Sequence, residues 1–284
     1  MLKLVSLASG SKGNATLILS DKSALLVDAG ISYSRLCQEL DGFGLTPSML
    51  DGVVITHEHA DHIKALPRLS EDCKVYAHGL TAKAIYDRQG ALKNVADVDN
   101  YEGGFFVGNI KVLPFRIPHD AEYPLAYSFE ADGSRCSVAT DIGVPTRGVL
   151  RNIKDSEVVL LESNHDITML KEGSYPWHLK TRILSDKGHL SNDATARIVK
   201  LLVGKSKIKH LVLGHISENN NTEELAFNTV KSALDGVPTN APVCGVNHGV
   251  PTNAPVCGVN EMQDTVISLH IAHQNRRSEV FEIE

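Results

Sequence analysis

The chain has 284 residues, 42% of them hydrophobic and 22% charged, with a formal net charge of -6. That balance suits a globular domain with ample apolar material for a core, and it argues against a protein that coats nucleic acid by charge alone. No apolar run approaches the roughly 20 residues of a membrane-spanning helix, and five scattered cysteines without CxxC spacing point to reduced thiols in a cytoplasmic protein.

The first half reads as short β-branched runs separated by Gly and Asp turns. KLVSLAS opens the chain as a strand, because Ser9-Gly10-Ser11-Lys12-Gly13 interrupts its apolar patch too early for a secretory signal. ATLILS and ALLVDAG follow, then a helix over SYSRLCQELDGF, the strand GVVITH and a helical ADHIKALPRLSE. Four more strands come next: KVYAH, IKVLPFRIPH, LAYSFEA and RCSVATD. Beyond them lie EVVLLESNHD, a helical ATARIVKLLVGK, the strand KHLVLGHIS, a helical TEELAFNTVKSALD, and two closing strands, TVISLHIAHQ and RSEVFEIE. The order predicts a single α/β domain over 1–284, with two sheets face to face, helices outside and chemistry at strand ends. One segment, GVPTNAPVCGVNH (236–248), recurs at once as GVPTNAPVCGVNE (249–261). One tandem copy makes no solenoid, and its Pro, Gly and Asn favour turns, so it reads as a duplicated surface loop or hairpin.

The strongest chemical signal is THEHADH at 56–62. The buried strand GVVIT delivers His57 and His59 two residues apart in extended backbone, so both point the same way and can reach one metal. Asp61 and His62 follow where a helix begins, so they diverge from that pair and suit a second ion. Three more coordinating side chains end apolar strands: His119 after KVLPFRIP, Asp141 in SVATDIG and His215 in HLVLGHIS. The inventory becomes five histidines and two aspartates, with a carboxylate available to bridge two divalent ions. Mixed imidazole and carboxylate ligation suits Zn²⁺, Mn²⁺ or Fe²⁺. Two such ions would move the formal charge from -6 to about -2, so an acidic chain can still hold a phosphate locally.

HxHxDH followed by His, Asp and His at three strand ends resembles the metallo-β-lactamase superfamily, and SLASGSKGNATLI and LLVDAG resemble its first strands. The resemblance implies a four-layer αββα sandwich with the site at one edge. It assigns His57, His59 and His119 to one metal and Asp61, His62 and His215 to the other. Asp141 would bridge, and Asp28 would support the metal loop. Glu58 and Ala60 would face away from such a site.

LLESNHD places Glu162 after a buried strand, and SDKGHLSNDATA places His189 just before a helix. Together they resemble the paired motifs of tRNase Z-type nucleases, in which the histidine assists the leaving group and the glutamate orients it. SGSKGN, SNHDITMLKEGSYPWHLKTRI, KGHLSN and GHISENNNTEELA look like the YycJ/WalJ family, associated with 5′→3′ exonuclease action on DNA. What this implies is a dinuclear phosphodiesterase releasing 5′-phosphorylated nucleotides, with Asp61, Glu162 and His189 catalytic. Lys180, Arg182, Ser11 and Asn14 are the candidate substrate contacts, and Trp177 and Tyr175 either stack a base or pack. Three alternatives stay open on the same scaffold: a thioesterase or lactonase, an RNA-processing nuclease, and a non-catalytic metal-binding module.

Overall fold

A computed structural model of the protein describes residues 1–98, 103–235 and 267–283. The duplicated stretch at 236–261 lies outside these residues.

The chain first lays down β1 (Leu2–Ala8), β2 (Ala15–Ser20), β3 (Ala24–Val27), β4 (Gly52–Val54), β5 (Val75–Ala77) and β6 (Val95–Asp97). Four helices interrupt them: α1 (Tyr33–Asp41), α2 (Ala60–Ile63), α3 (Leu66–Leu69) and α4 (Gly79–Gln89). The second sheet then forms from β7 (Phe105–Val107), β8 (Ile110–Arg116), β9 (Leu125–Ala131), β10 (Ser134–Ala139), β11 (Val158–Glu162), β12 (His210–Gly214) and β13 (Ser268–Ile271). Its helices are α5 (Arg147–Ile153), α6 (Ile167–Glu172), α7 (Trp177–Ile183), α8 (Asn192–Leu202) and α9 (Glu223–Asp235). β14 (Phe281–Ile283) returns to the first sheet, pairing Leu2 with Ile283.

The sheets run β14-β1-β2-β3-β4-β5-β6 and β13-β12-β11-β10-β9-β8-β7. Each is antiparallel in one half and parallel in the other: β3 to β6 are parallel in the first, β10 to β13 in the second. Parallel strands covered on both faces need apolar residues at every position, and β11 shows this. Val158 and Leu160 pack between the sheets, while Val159 and Leu161 pack outward against Val149, Ile198 and Val230 of the helices. On the other side, Leu26 and Val53 face Leu36, Leu66 and Ile85. The result is the four-layer αββα arrangement that the resemblance implies.

Two expectations are corrected. The helix over 60–71 is two short helices, because Pro67 sits in the first turn of α3 and its ring excludes a continuous ladder. The elements α4, α5, α6, α7, β6 and β7 were not anticipated. Contacts between the layers also brace the site. Tyr127 on β9 donates its hydroxyl to the Ile55 carbonyl at 2.8 Å, and Leu125 N–H donates to the Thr56 carbonyl at 2.9 Å.

Candidate metal centre

The carboxyl ends of β4, β8, β10, β11 and β12 open on one edge of the sandwich, and each carries a polar side chain there. β4 runs into Thr56, His57 and His59, and α2 follows with Asp61 and His62. β8 leads to His119, β10 to Asp141, β11 ends on Glu162, and β12 leads to His215. Asp28, Asp141 and His215 adopt left-handed backbone (φ 59°, 60° and 53°), which L-residues rarely take without compensation. Gly30 backs onto this loop so closely that a Cβ would lie 1.6 Å from the Asp61 carbonyl oxygen.

The ring nitrogens converge. His59 Nδ1 lies 3.0 Å from His57 Nε2 and 3.3 Å from His119 Nε2. Asp61 Oδ2 lies 3.5 Å from both His62 Nε2 and His215 Nε2. Between these groups stands Asp141. Its Oδ2 is 3.4 Å from His62 Nε2, and its Oδ1 is 3.5 Å from His215 Nε2 and 3.7 Å from His119 Nε2.

Four imidazoles are held from behind. His62 Nδ1–H donates to Asp28 Oδ2 at 2.8 Å, His215 Nδ1–H to Glu162 Oε1 at 3.0 Å, and His119 Nδ1–H to the Gly188 carbonyl at 3.1 Å. His57 Nδ1–H donates to Thr56 Oγ1 at 3.0 Å, and that hydroxyl donates onward to Asp28. Each bond holds its ring with Nε2 toward the common centre, as in histidine ligands oriented by an outer carboxylate or carbonyl. Asp141 Oδ2 and His215 Nε2 are buried without a hydrogen-bond partner. Buried polar atoms rarely go unpartnered, and a divalent cation among these donors would satisfy both. The residues fit a metal.

Electrostatics divide the histidines into two sets. Burial, reinforced by neighbouring imidazoles, drives the pKa of His57 far down, and burial lowers His59 and His119 as well. Burial also disfavours charge on His62, but the carboxylates of Asp141, Asp28 and Asp61 outweigh it and lift its pKa to about 9. His215 is raised in the same way, against burial, by Asp141, Asp61 and Glu162. The all-imidazole group is therefore neutral and ready to donate, while the Asp61 group must release protons to bind a cation.

A beta-lactamase superfamily domain matches residues 24–216. The exodeoxyribonuclease WalJ of Streptococcus pneumoniae is 36% identical over 237 residues, covering 80% of this chain and 86% of that one. The chain belongs to the beta-lactamase superfamily. Within it, the chain falls in the WalJ/YycJ family: the exodeoxyribonuclease YycJ of Bacillus anthracis is also 36% identical, over 238 residues covering 81% and 88% of the two chains. The fold agrees with the crystal structure of the metallo-beta-lactamase fold protein YhfI from Bacillus subtilis, at a TM-score of 0.65 and 14% identity over 98% of each chain.

This superfamily chain gathers His57, His59, Asp61, His62, His119, Asp141 and His215, all expected from sequence, around one centre. Glu162 and His189 join them: His189 Nδ1–H donates to Glu162 Oε1 at 2.8 Å and lies 3.7 Å from Asp141 Oδ1. The expected substrate contacts separate. Arg182 stays at the rim, paired with Asp120, whose Oδ1 is 3.4 Å from His119 Nε2. Ser11 is exposed on the β1–β2 turn.

Lys180 and Asn14 are corrections. Lys180 is buried, and its ammonium donates to the Lys171 and Gly173 carbonyls at 2.7 Å, so it ties two helices together and does not reach outward. Asn14 is buried too. Its amide donates to Gly10 O at 3.0 Å and lies 3.3 Å from Asp61 Oδ2 and 3.2 Å from His62 Nε2, so it is packed among the candidate ligands. Sequence reasoning missed Asp120, whose one signal was its place directly after His119. It also missed Asn164, which donates to the His215 carbonyl at 2.8 Å.

Proposed function

We propose that this chain is a metal-dependent phosphodiesterase that degrades DNA from the 5′ end and releases 5′-phosphorylated nucleotides. The observation that carries this reading is the Glu162–His189 pair at the rim of the metal centre. Thioester hydrolysis releases a thiolate that needs little help, whereas a departing sugar oxygen gains from a positioned proton donor. The names of the WalJ and YycJ relatives point the same way, to DNA in preference to RNA.

In this proposal two divalent ions, Zn²⁺, Mn²⁺ or Fe²⁺, sit one among His57, His59 and His119 and one among Asp61, His62 and His215, with Asp141 between them. Bound there, such ions supply Lewis acidity: a lowered pKa for water and neutralisation of charge on phosphoryl oxygens. The chain supplies the rest. Asp61, at the more open side of the cluster, accepts the proton of the attacking water. His189 gives a proton from Nε2 to the departing 3′ oxygen, while Glu162 holds the opposite ring nitrogen and stabilises the imidazolium. Arg182 would exchange Asp120 for a non-bridging phosphate oxygen, a geometry suited to its planar fork. The sparse cysteines suit action in the cytoplasm.

The test is digestion of 5′- and 3′-end-labelled DNA and RNA oligonucleotides by protein resupplied with Mn²⁺ or Zn²⁺. Single 5′-phosphorylated nucleotides should be released from DNA. His189→Ala should slow release by about 10²- to 10⁴-fold with metal content near normal, and Asp141→Ala should lose activity and metal together. Turnover of thioesters or lactones with both polymers left intact would replace this reading.

A further inference from the structure

Trp177 is the chain's single tryptophan, and it is 74% exposed, more than any other large apolar side chain among the described residues. The sequence allowed packing or base stacking, and this exposure removes packing. Leu184, seven residues on, is 40% exposed on the same helical face, and exposed Thr181 lies between them.

The mount beneath Trp177 is rigid. Pro176 precedes it and presets the backbone. The Lys180 ammonium clamps α7 to the end of α6 through the two carbonyls described above, and the Tyr175 hydroxyl accepts a bond from Asn219 at 2.9 Å. The far end of α7 touches the metal centre: Arg182 pairs with Asp120, and the Ile183 carbonyl accepts His189 N–H at 3.0 Å. Five residues of helix separate Trp177 from Arg182, an axial rise of about 7.5 Å at 1.5 Å per residue. Charge along this stretch opposes that of the whole chain. With the buried Lys180 set aside, Lys171, Arg182 and Lys187 against Glu172 and Asp186 give 3 - 2 = +1 over 171–189, in a chain of net -6. Two large apolar residues make a face far smaller than the roughly 800 Å² a protein partner needs, but one indole suffices for a base.

We propose that Trp177 is a base-stacking platform, which holds a base of single-stranded DNA whose phosphate backbone runs along α7 to the metal centre. This rests on the nuclease reading above. Stacking contributes about 1–3 kcal/mol per base, so Trp177→Ala should raise KM for a single-stranded oligonucleotide by about 5- to 150-fold. The kcat should change little, and Trp177→Phe should restore most of the loss. Hydrolysis of bis(p-nitrophenyl) phosphate, which offers no base beyond the reacting phosphate, should not change.

The lone indole gives a second readout. In full-length His189→Ala protein loaded with Mn²⁺, intrinsic fluorescence should fall as oligothymidylate is added, along the isotherm given by anisotropy of a labelled oligonucleotide. Binding by anisotropy without quenching, together with an unchanged KM for Trp177→Ala, would overturn the platform. So would an equal loss on bis(p-nitrophenyl) phosphate. If wild-type protein neither binds nor degrades DNA, the nuclease reading fails and the platform goes with it.

Discussion

A fully buried carboxylate persists when its lone pairs are occupied, and Glu162 meets that condition. Its Oε2 accepts N–H groups from Ile142 and Leu190 at 2.8 and 3.0 Å, and its Oε1 accepts from His189 and His215. Burial alone would raise its pKa, yet His189 and His215 hold it well below the ordinary carboxylate range. His165 is the opposite case. It is 1% exposed, and neither ring nitrogen meets a protein partner. Burial holds its pKa at about 4, against an ordinary 6.5. As pH falls, the unfolded chain takes up this proton first, so stability present above pH 6.5 drains away between pH 6.5 and 4. The loss is about 3 kcal/mol. His165→Phe should remove that part of the pH dependence, read as the wild-type-minus-variant difference in urea denaturation at pH 7 and 4.5. A difference that does not change with pH would refute the assignment. Of these two residues the sequence announced only Glu162. Its signal was position at a strand end, whereas the isolation of His165 arises from what folds around it.

At the scale of elements, the strands could be read because burial on both faces writes itself as unbroken apolar runs. The helices α4 and α7 could not. α4, GLTAKAIYDRQ, buries little beyond Thr81 and Ile85, too few to mark an apolar stripe. α7 buries Lys180 beside Ile183, so a charge stands where binary patterning expects a hydrophobe. The candidate metal ligands were legible for the same reason as the strands, since each sits where an apolar run stops. The substrate contacts were not, because side-chain direction on a seven-residue helix depends on its neighbours. Lys180→Met tests the element directly. Two charge-assisted bonds to carbonyls should be lost at a cost of about 1.5–3 kcal/mol each at most, seen as a lower urea midpoint with metal content unchanged. An unaltered midpoint would mean the clamp contributes nothing.

At the scale of the whole molecule, the centre draws its ligands from both sheets. His57, His59, Asp61 and His62 follow β4 of the first, and His119, Asp141 and His215 follow strands of the second. The four carboxylates of Asp28, Asp61, Asp141 and Glu162 gather around this junction. A cation bound among them favours the folded arrangement, which alone brings these donors together. Chelated protein should therefore melt earlier, and adding back Mn²⁺ or Zn²⁺ should raise Tm progressively with metal concentration, approaching about 4 kcal/mol of stabilisation at a thousand times Kd. A Tm indifferent to metal would sever the ions from the fold. Among the described residues no helix is long and apolar enough to cross a membrane.

The spread of the ligands along the chain also bears on how the protein comes into being. A ribosome that has finished THEHADH must add residues 63 to 215 before the last ligand exists. At 5–20 residues per second that takes roughly 8–30 s. Throughout that interval the growing polypeptide carries His57, His59, Asp61 and His62 without the residues that complete the candidate centre. On the proposed reading, the order of the residues keeps the site incomplete in every unfinished copy.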